Sequence, residues 1–191
     1  MGRIKPVNNT SHVLFVVSTQ DEMTKFINRI NGHMRLKVSS FTKACNFLGI
    51  NMIPANPIID PLDPYFSGLI DTDGSIVFNY PGNRIGCFLE LKYNEFSANL
   101  NLDNVVPGTK PTVRTLSKSV KSKGNIKKFT SIRFSFDSVQ AMPCLYEYFM
   151  VNRLYCDMKF YRISKIIGFM DIRSYQKCAY DSPEFQIYST F

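Results

Sequence analysis

Alternation of apolar and polar positions is clearest in the middle of the chain. Ile76, Phe78 and Tyr80 alternate with Ser75, Val77 and Asn79, and Cys87, Leu89, Leu91 and Tyr93 alternate with Phe88, Glu90 and Lys92. A turn sequence, Tyr80-Pro81-Gly82-Asn83, separates the two stretches. This pattern predicts an antiparallel hairpin with one apolar and one polar face. Residues 111–116 and 129–136 read as a second hairpin. Helical spacing takes over elsewhere. Met23, Phe26, Ile27 and Ile30 form one face after a capping-box pair, Thr19 and Glu22, with Asn31-Gly32 as the stop. Phe41, Ala44, Cys45 and Leu48 form another short face, ended by Gly49. Residues 138–150 place Val139, Met142, Leu145, Tyr146 and Phe149 inward, and residues 158–172 do the same with Ile163, Ile166, Ile167 and Met170, Asp157 serving as N-cap. Residues 12–17 read as a buried strand, and 176–191 as an irregular tail.

Residues 51–63 carry Pro54, Pro57 and Pro61, an extended linker and the best boundary in the chain. Asp63-Pro64 then opens a helix, with an acceptor at N-cap and proline at N1. The order helix, hairpin, hairpin, helix, helix predicts an α+β unit with a four-stranded antiparallel sheet. Its apolar face packs on helices and its polar face stays free for a partner.

Charge narrows the partner. The 191 residues hold 23 Lys and Arg against 15 Asp and Glu, a formal +8. From residue 104 to 136 there are cations at Lys110, Arg114, Lys118, Lys121, Lys123, Lys127, Lys128 and Arg133 and no acid. A cationic hairpin suits phosphate contacts and entry of a two-stranded ribbon into a major groove. The five cysteines are scattered, without C-x-x-C spacing, which argues against a disulfide framework or a zinc site. His12 and His33 flank no acid cluster, and no phosphate-loop motif occurs. The longest apolar run, residues 13–17, is far short of a membrane span of about 20 residues. Residues 1–6 carry no apolar stretch of a secretory signal. Phe, Ile, Asn, Tyr and Lys supply 72 of the 191 residues; these are the residues of AT-rich codons, which fits an organelle genome and equally an AT-rich bacterium.

The most informative window is Phe66-Ser67-Gly68-Leu69-Ile70-Asp71-Thr72-Asp73-Gly74. It reads as an apolar helix with two small residues, Ser67 and Gly68, that permit close helix–helix approach. Asp71 and Asp73 fall at its C-terminus, where a carboxylate opposes the helix dipole at a cost of roughly 0.3–1 kcal/mol. Hydrogen bonds can compensate one of them and a divalent cation the other. These nine residues closely resemble the LAGLIDADG motif of homing endonucleases and RNA maturases. The stretch 152–166 and the linker 56–63 resemble the branch encoded by fungal mitochondrial introns, cytochrome b introns in particular.

That resemblance, over roughly residues 12–185, implies an αββαββα half with a saddle-shaped four-stranded sheet. It implies Asp73 as the catalytic, metal-binding acid, the carbonyl of Thr72 as a companion ligand, and Mg²⁺ or another divalent cation as cofactor. Ser67, Gly68 and Asp71 take interface and structural positions, and Lys159 is the nearest match to a lysine that polarises the site. Strand alternation and the cation run assign nucleic-acid contacts to Ser75, Val77, Asn79, Glu90, Lys92, Arg114, Lys118, Lys121, Lys123, Lys127, Lys128 and Arg133. The expected partner is a double-stranded DNA target, with host intron RNA as the alternative, no membrane, and a mitochondrial location.

One motif is present where two-motif members carry two. Residues 1–55 resemble the last part of a preceding half-domain, 56–175 the motif-bearing domain and 176–191 a tail. The expectation is therefore the C-terminal part of a two-motif protein, whose cleavage needs a second half or self-association. The alternative is an RNA maturase that binds its host intron without using the metal-binding acid.

Overall fold

A computed structural model describes residues 2–8, 12–122 and 125–191, and the side chains of these apart from 120–122 and 125–127. The chain divides into two compact units, residues 1–57 and 58–191.

The first unit begins with a two-stranded antiparallel ribbon, β1 (Arg3–Pro6) and β2 (Val13–Val16), in which Arg3 lies opposite Val16 and Pro6 opposite Val13. Two helices follow, α1 (Gln20–Ile30) and α2 (Val38–Phe47). Thr19 caps α1 by accepting from the Glu22 N–H at 3.3 Å. The reciprocal half of the capping box is replaced, because the Glu22 carboxylate accepts from the Gly2 N–H at 3.0 Å. Ile27, Phe41 and Cys45 form the small core. The expected buried strand is a strand but is not buried: Val13, Leu14 and Phe15 are all more than half exposed. An unbroken apolar run places side chains on both faces of a ribbon, and β2 pairs only with β1 among the described residues, too small a sheet to bury both. Phe15, Phe26 and Phe47 line an apolar cavity of about 360 Å³ in this unit.

The second unit is α+β. Its elements are α3 (Tyr65–Thr72), β3 (Gly74–Asn79), β4 (Arg84–Lys92), the short α4 (Glu95–Asn99), β5 (Thr112–Ser122), β6 (Asn125–Phe136), α5 (Ala141–Val151), α6 (Asp157–Ser164), α7 (Ile166–Ile172) and α8 (Pro183–Thr190). The four strands form one antiparallel sheet in the order β3-β4-β6-β5. One face carries Ile76, Ile85, Cys87, Leu89, Leu91, Ile132, Phe134 and Phe136, all buried. α3 packs there through Phe66, whose ring lies 5.3 Å from Phe136, 5.5 Å from Tyr148 and 5.9 Å from Phe149. The Tyr148 hydroxyl donates to the Asp63 carbonyl at 2.6 Å, and the Asp63 carboxylate caps the Tyr65 N–H at 2.8 Å. Pro64, not Asp63, is the N-cap and Tyr65 the first helical residue, so the expected cap and N1 positions each stand one place earlier; Asp63 still fixes the start of the helix, through its carboxylate on Tyr65 and its carbonyl on Tyr148.

Several elements depart from the sequence reading. The second hairpin is longer, because its polar, β-branched ends pair with each other out to Ser122 and Asn125 without needing burial. The helix expected over 158–172 is broken at Lys165, where the Ser164 hydroxyl donates to the Tyr161 carbonyl at 2.8 Å and competes with the helical ladder. Ile167 is exposed and Phe169 is buried in its place. Asp157 is the first residue of α6 rather than its cap and pairs with Arg153 at 3.4 Å. The supposed tail holds α8, capped by Ser182 with Pro183 at N1, and its buried Tyr188 stacks on Tyr80 at 5.2 Å. Among the described residues no helix is long and apolar enough to cross a membrane.

Gly74 is where the fold leaves no room. A Cβ there would lie 2.6 Å from the Ile70 Cα and 3.1 Å from the Ile70 carbonyl oxygen, inside contact distance of the last turn of α3. Gly68 is the opposite case: a Cβ meets nothing within 4 Å. Gly74→Ala should therefore lower stability by about 1–3 kcal/mol. Gly68→Ala should raise it by up to about 1 kcal/mol through helix propensity. Urea melts of the two variants check both signs.

Candidate functional site

Two acids one turn from the end of α3 have different surroundings. The Asp71 carboxylate accepts from the backbone N–H of Tyr155 at 2.7 Å and of Cys156 at 3.0 Å, at the entry to α6. A carboxylate there faces the positive end of the α6 dipole, which offsets its poor position at the negative end of α3. Lys159 returns the contact from the first turn of α6. Its ammonium donates to the Ile70 carbonyl at 2.7 Å and the Asp71 carbonyl at 2.8 Å, two of the acceptors that a helix C-terminus leaves open. The Thr72 hydroxyl donates to the Gly68 and Leu69 carbonyls at 3.0 and 3.3 Å.

Asp73 is exposed, and its carboxylate makes no hydrogen bond or ion pair with any described residue. Its own N–H closes the helix on the Leu69 carbonyl at 2.9 Å. Gly74 follows, then Ser75 on the open face of the sheet. Asp73 thus stands at the junction of α3 with that face. Its oxygens are the hard donors that Mg²⁺ takes. Among the described residues no cluster of three or more His, Cys, Asp or Glu is placed to hold a metal.

Ser75, Val77, Asn79, Glu90, Lys92, Arg114, Lys118 and Arg133 all project from the sheet face opposite the helices. Pair register brings some of them into rows. Glu90 lies opposite Arg133, and Arg133 opposite Arg114. Ser75 faces Phe88, which faces Ser135, which faces Thr112. The four strands contain eight Lys and Arg residues and one acid, Glu90. Glu90 Oε2 accepts from Arg133 Nη2 at 2.6 Å and Nε at 3.1 Å, and Oε1 accepts from the Ser131 hydroxyl at 2.7 Å and Lys118 at 3.0 Å. The Ser131 hydroxyl, Lys118 and Arg133 together hold the Glu90 carboxyl down at about 2. A groove of about 470 Å³ beside this cluster is lined by Lys92, Lys118 and Phe129 among others.

β4 stops pairing with β6 at Lys92 and Ser131, but β5 and β6 continue as a two-stranded ribbon. Lys118, Ser119, Lys128, Phe129 and Thr130 are exposed there. Lys128 lies on the side of the ribbon opposite Lys118, so cations occur on both of its faces. Lys121, Lys123 and Lys127 lie outside the described side chains. Ser131, Phe88 and Phe129 were not singled out in the sequence. The alternation that exposes Arg133 also exposes 129 and 131, so the signal was present, whereas the Glu90 hydrogen bonds depend on register across three strands.

No family model and no curated protein matches this chain. Its chemistry therefore rests on the geometry: a free carboxylate at a helix–sheet junction, a lysine that neutralises the same helix end, and a cationic sheet face that extends into a ribbon.

Two predictions separate these parts. Asp71→Ala should destabilise the fold by about 1–3 kcal/mol through its two charge-assisted bonds, and Asp73→Ala should change it by less than about 0.5 kcal/mol; chemical denaturation at neutral pH distinguishes them. The Glu90 carboxyl titrates lower folded than unfolded, so its contribution is complete above the ordinary glutamate range, near pH 4.3, and is lost as pH falls toward 2. The melting temperature of the wild type should drop across that window by more than that of Glu90→Gln.

Proposed function

We propose that this chain binds duplex DNA on its open sheet face and contributes one acid to site-specific phosphodiester cleavage, as the LAGLIDADG-like motif at residues 66–74 suggests. The observation that carries the reading is the division of labour at the end of α3. Asp71 is held by two backbone N–H groups, and Asp73 has no such partner and stands beside the cationic face. A helix end that spends one acid on structure and leaves the next exposed is suited to metal-assisted hydrolysis.

In this reading Asp73 and the Thr72 carbonyl are the oxygen donors offered to Mg²⁺. A bound divalent cation supplies Lewis-acid polarisation of the phosphate and a more acidic water. Lys159 fixes the position of the carbonyls just before Asp73 and brings positive charge to the same helix end. Cations such as Lys92, Arg114 and Lys128, which make no ion pair among the described residues, hold the phosphate backbone, and the ribbon of β5 and β6 fits a major groove. One carboxylate from this chain leaves the second to a partner half or a second copy. The same shortage of acids favours a second reading, in which the face binds host intron RNA and assists its folding without cleavage.

The test uses the full chain, a pool of duplexes with randomised sites, and Mg²⁺. The wild type should cut members of the pool at concentrations that allow self-association. Asp73→Asn should cut none while binding within about twofold of the wild type, since surface substitutions perturb the fold little. About six phosphate contacts give a slope near −5 for log affinity against log salt. Cleavage that survives Asp73→Asn contradicts the catalytic assignment. Salt-dependent binding without cleavage by the wild type favours the RNA reading.

A further inference from the structure

We propose that Glu90 is a positioning residue that sets sequence discrimination on the open face, by holding Arg133 so that it reads a guanine instead of clamping a phosphate. This rests on the duplex-binding reading above. Glu90 is the only acid in four strands that carry eight cations. It lies in the middle of the sheet, opposite Arg133, at a position where electrostatics alone would favour an uncharged or basic residue on a phosphate-binding face.

Its contacts say what it does there. Oε2 takes both Nε and Nη2 of Arg133, one of the two donor edges with which a guanidinium grips a carboxylate or a phosphate. With that edge occupied, Arg133 cannot offer the same fork to the DNA backbone. It keeps its other edge, built on Nη1 and the second Nη2 hydrogen, which has the two-donor geometry that matches guanine O6 and N7. Oε1 holds Lys118 at 3.0 Å and so reduces a second cation's pull on phosphate. The Ser131 hydroxyl, 2.7 Å from the same oxygen, fixes the carboxylate itself. Arg133 is thereby ordered before any duplex arrives, which lowers the entropy lost on binding. Arg114, directly across from Arg133, makes no ion pair among the described residues and is left for phosphate contact.

The arrangement lowers sequence-independent affinity and raises discrimination, and the two effects are measured separately. The full chain is selected against a pool of randomised 30-bp duplexes, and its affinity for one fixed mixed-sequence duplex is followed from about 0.05 to 0.2 M KCl, the range over which phosphate contacts dominate. Wild-type sites should contain an enriched guanine. Glu90→Gln should bind the fixed duplex about 3–10-fold more tightly at 0.1 M salt and steepen the salt slope by about 1–2, as Arg133 and Lys118 turn to phosphates. Its preference for that guanine should fall about tenfold, within the range one bidentate contact supplies. Arg133→Lys keeps the charge and loses the fork, so it should lose the guanine with the slope unchanged. Ser131→Ala keeps every charge and frees the carboxylate, so it should weaken the guanine preference alone, and it serves as the test if Glu90→Gln melts below the assay temperature. An unchanged slope and unchanged preference in Glu90→Gln would reduce Glu90 to a structural ion pair and overturn the proposal. Failure of the wild type to bind any duplex would instead overturn the reading of the face on which it rests.

Discussion

The second unit depends on a reciprocal exchange between two helix ends. The C-terminus of α3 sends the Asp71 carboxylate to the N–H groups at the entry to α6, and α6 sends Lys159 back to the last carbonyls of α3. Each helix end leaves backbone groups without helical partners, and here a side chain from the opposite helix satisfies them. The charges also match the dipoles, negative at the start of α6 and positive at the end of α3. Because residues 71 and 155–159 are more than 80 positions apart in sequence, this contact also closes the chain around the sheet. It fixes the direction in which α3 ends, and so fixes where Asp73 stands.

The sheet turns that position into a surface. Its inner face is filled by α3, α5 and the chain of aromatic contacts from Phe66 to Tyr148 and Phe149. On the outer face Ser75, Val77, Lys92, Arg114 and Lys118 are exposed. Arg114 and Arg133, directly opposite each other on that face, repel, and Glu90 relieves that repulsion at the centre by taking Arg133 and Lys118 together. Toward the ribbon the sequence of β5 and β6 carries no acid, and Lys118 and Lys128 stand on opposite sides of it. The surface therefore has an ordered, partly neutralised centre and a strongly cationic extension. In the proposed reading the two places do different work: discrimination at the centre, backbone attraction at the ribbon.

Much of this was legible in the residues. Period-two alternation located β3, β4 and the face that each side chain occupies, because a strand half covered by helices must alternate. Asp63-Pro64 marked the start of α3, and the chemical conflict of two acids at a helix C-terminus marked its end. The remainder depended on contacts distant in sequence. Nothing local indicates that Asp71 rather than Asp157 serves the N-terminal end of α6, since the partner is 84 residues away. The apolar run at 13–17 specifies a strand but not what covers it, and with only β1 as neighbour its side chains stay exposed. α8 was missed for a different reason. Ser182-Pro183 is the same start signal as Asp63-Pro64, but the helix behind it buries only Tyr188 fully and shows no apolar stripe.

In the proposed reading the helix-end exchange places Asp73 beside a nucleic-acid-binding face. The measurement that tests it most directly is the amide spectrum of the full chain as a mixed-sequence duplex is added. The account predicts shifts at Asp73 and Gly74, along the outward positions of β3, β4 and β6, and along the ribbon, with the amides of α5 and α7 unmoved. Shifts concentrated on α5 and α7, or a spectrum that duplex leaves unchanged at low salt, would contradict it.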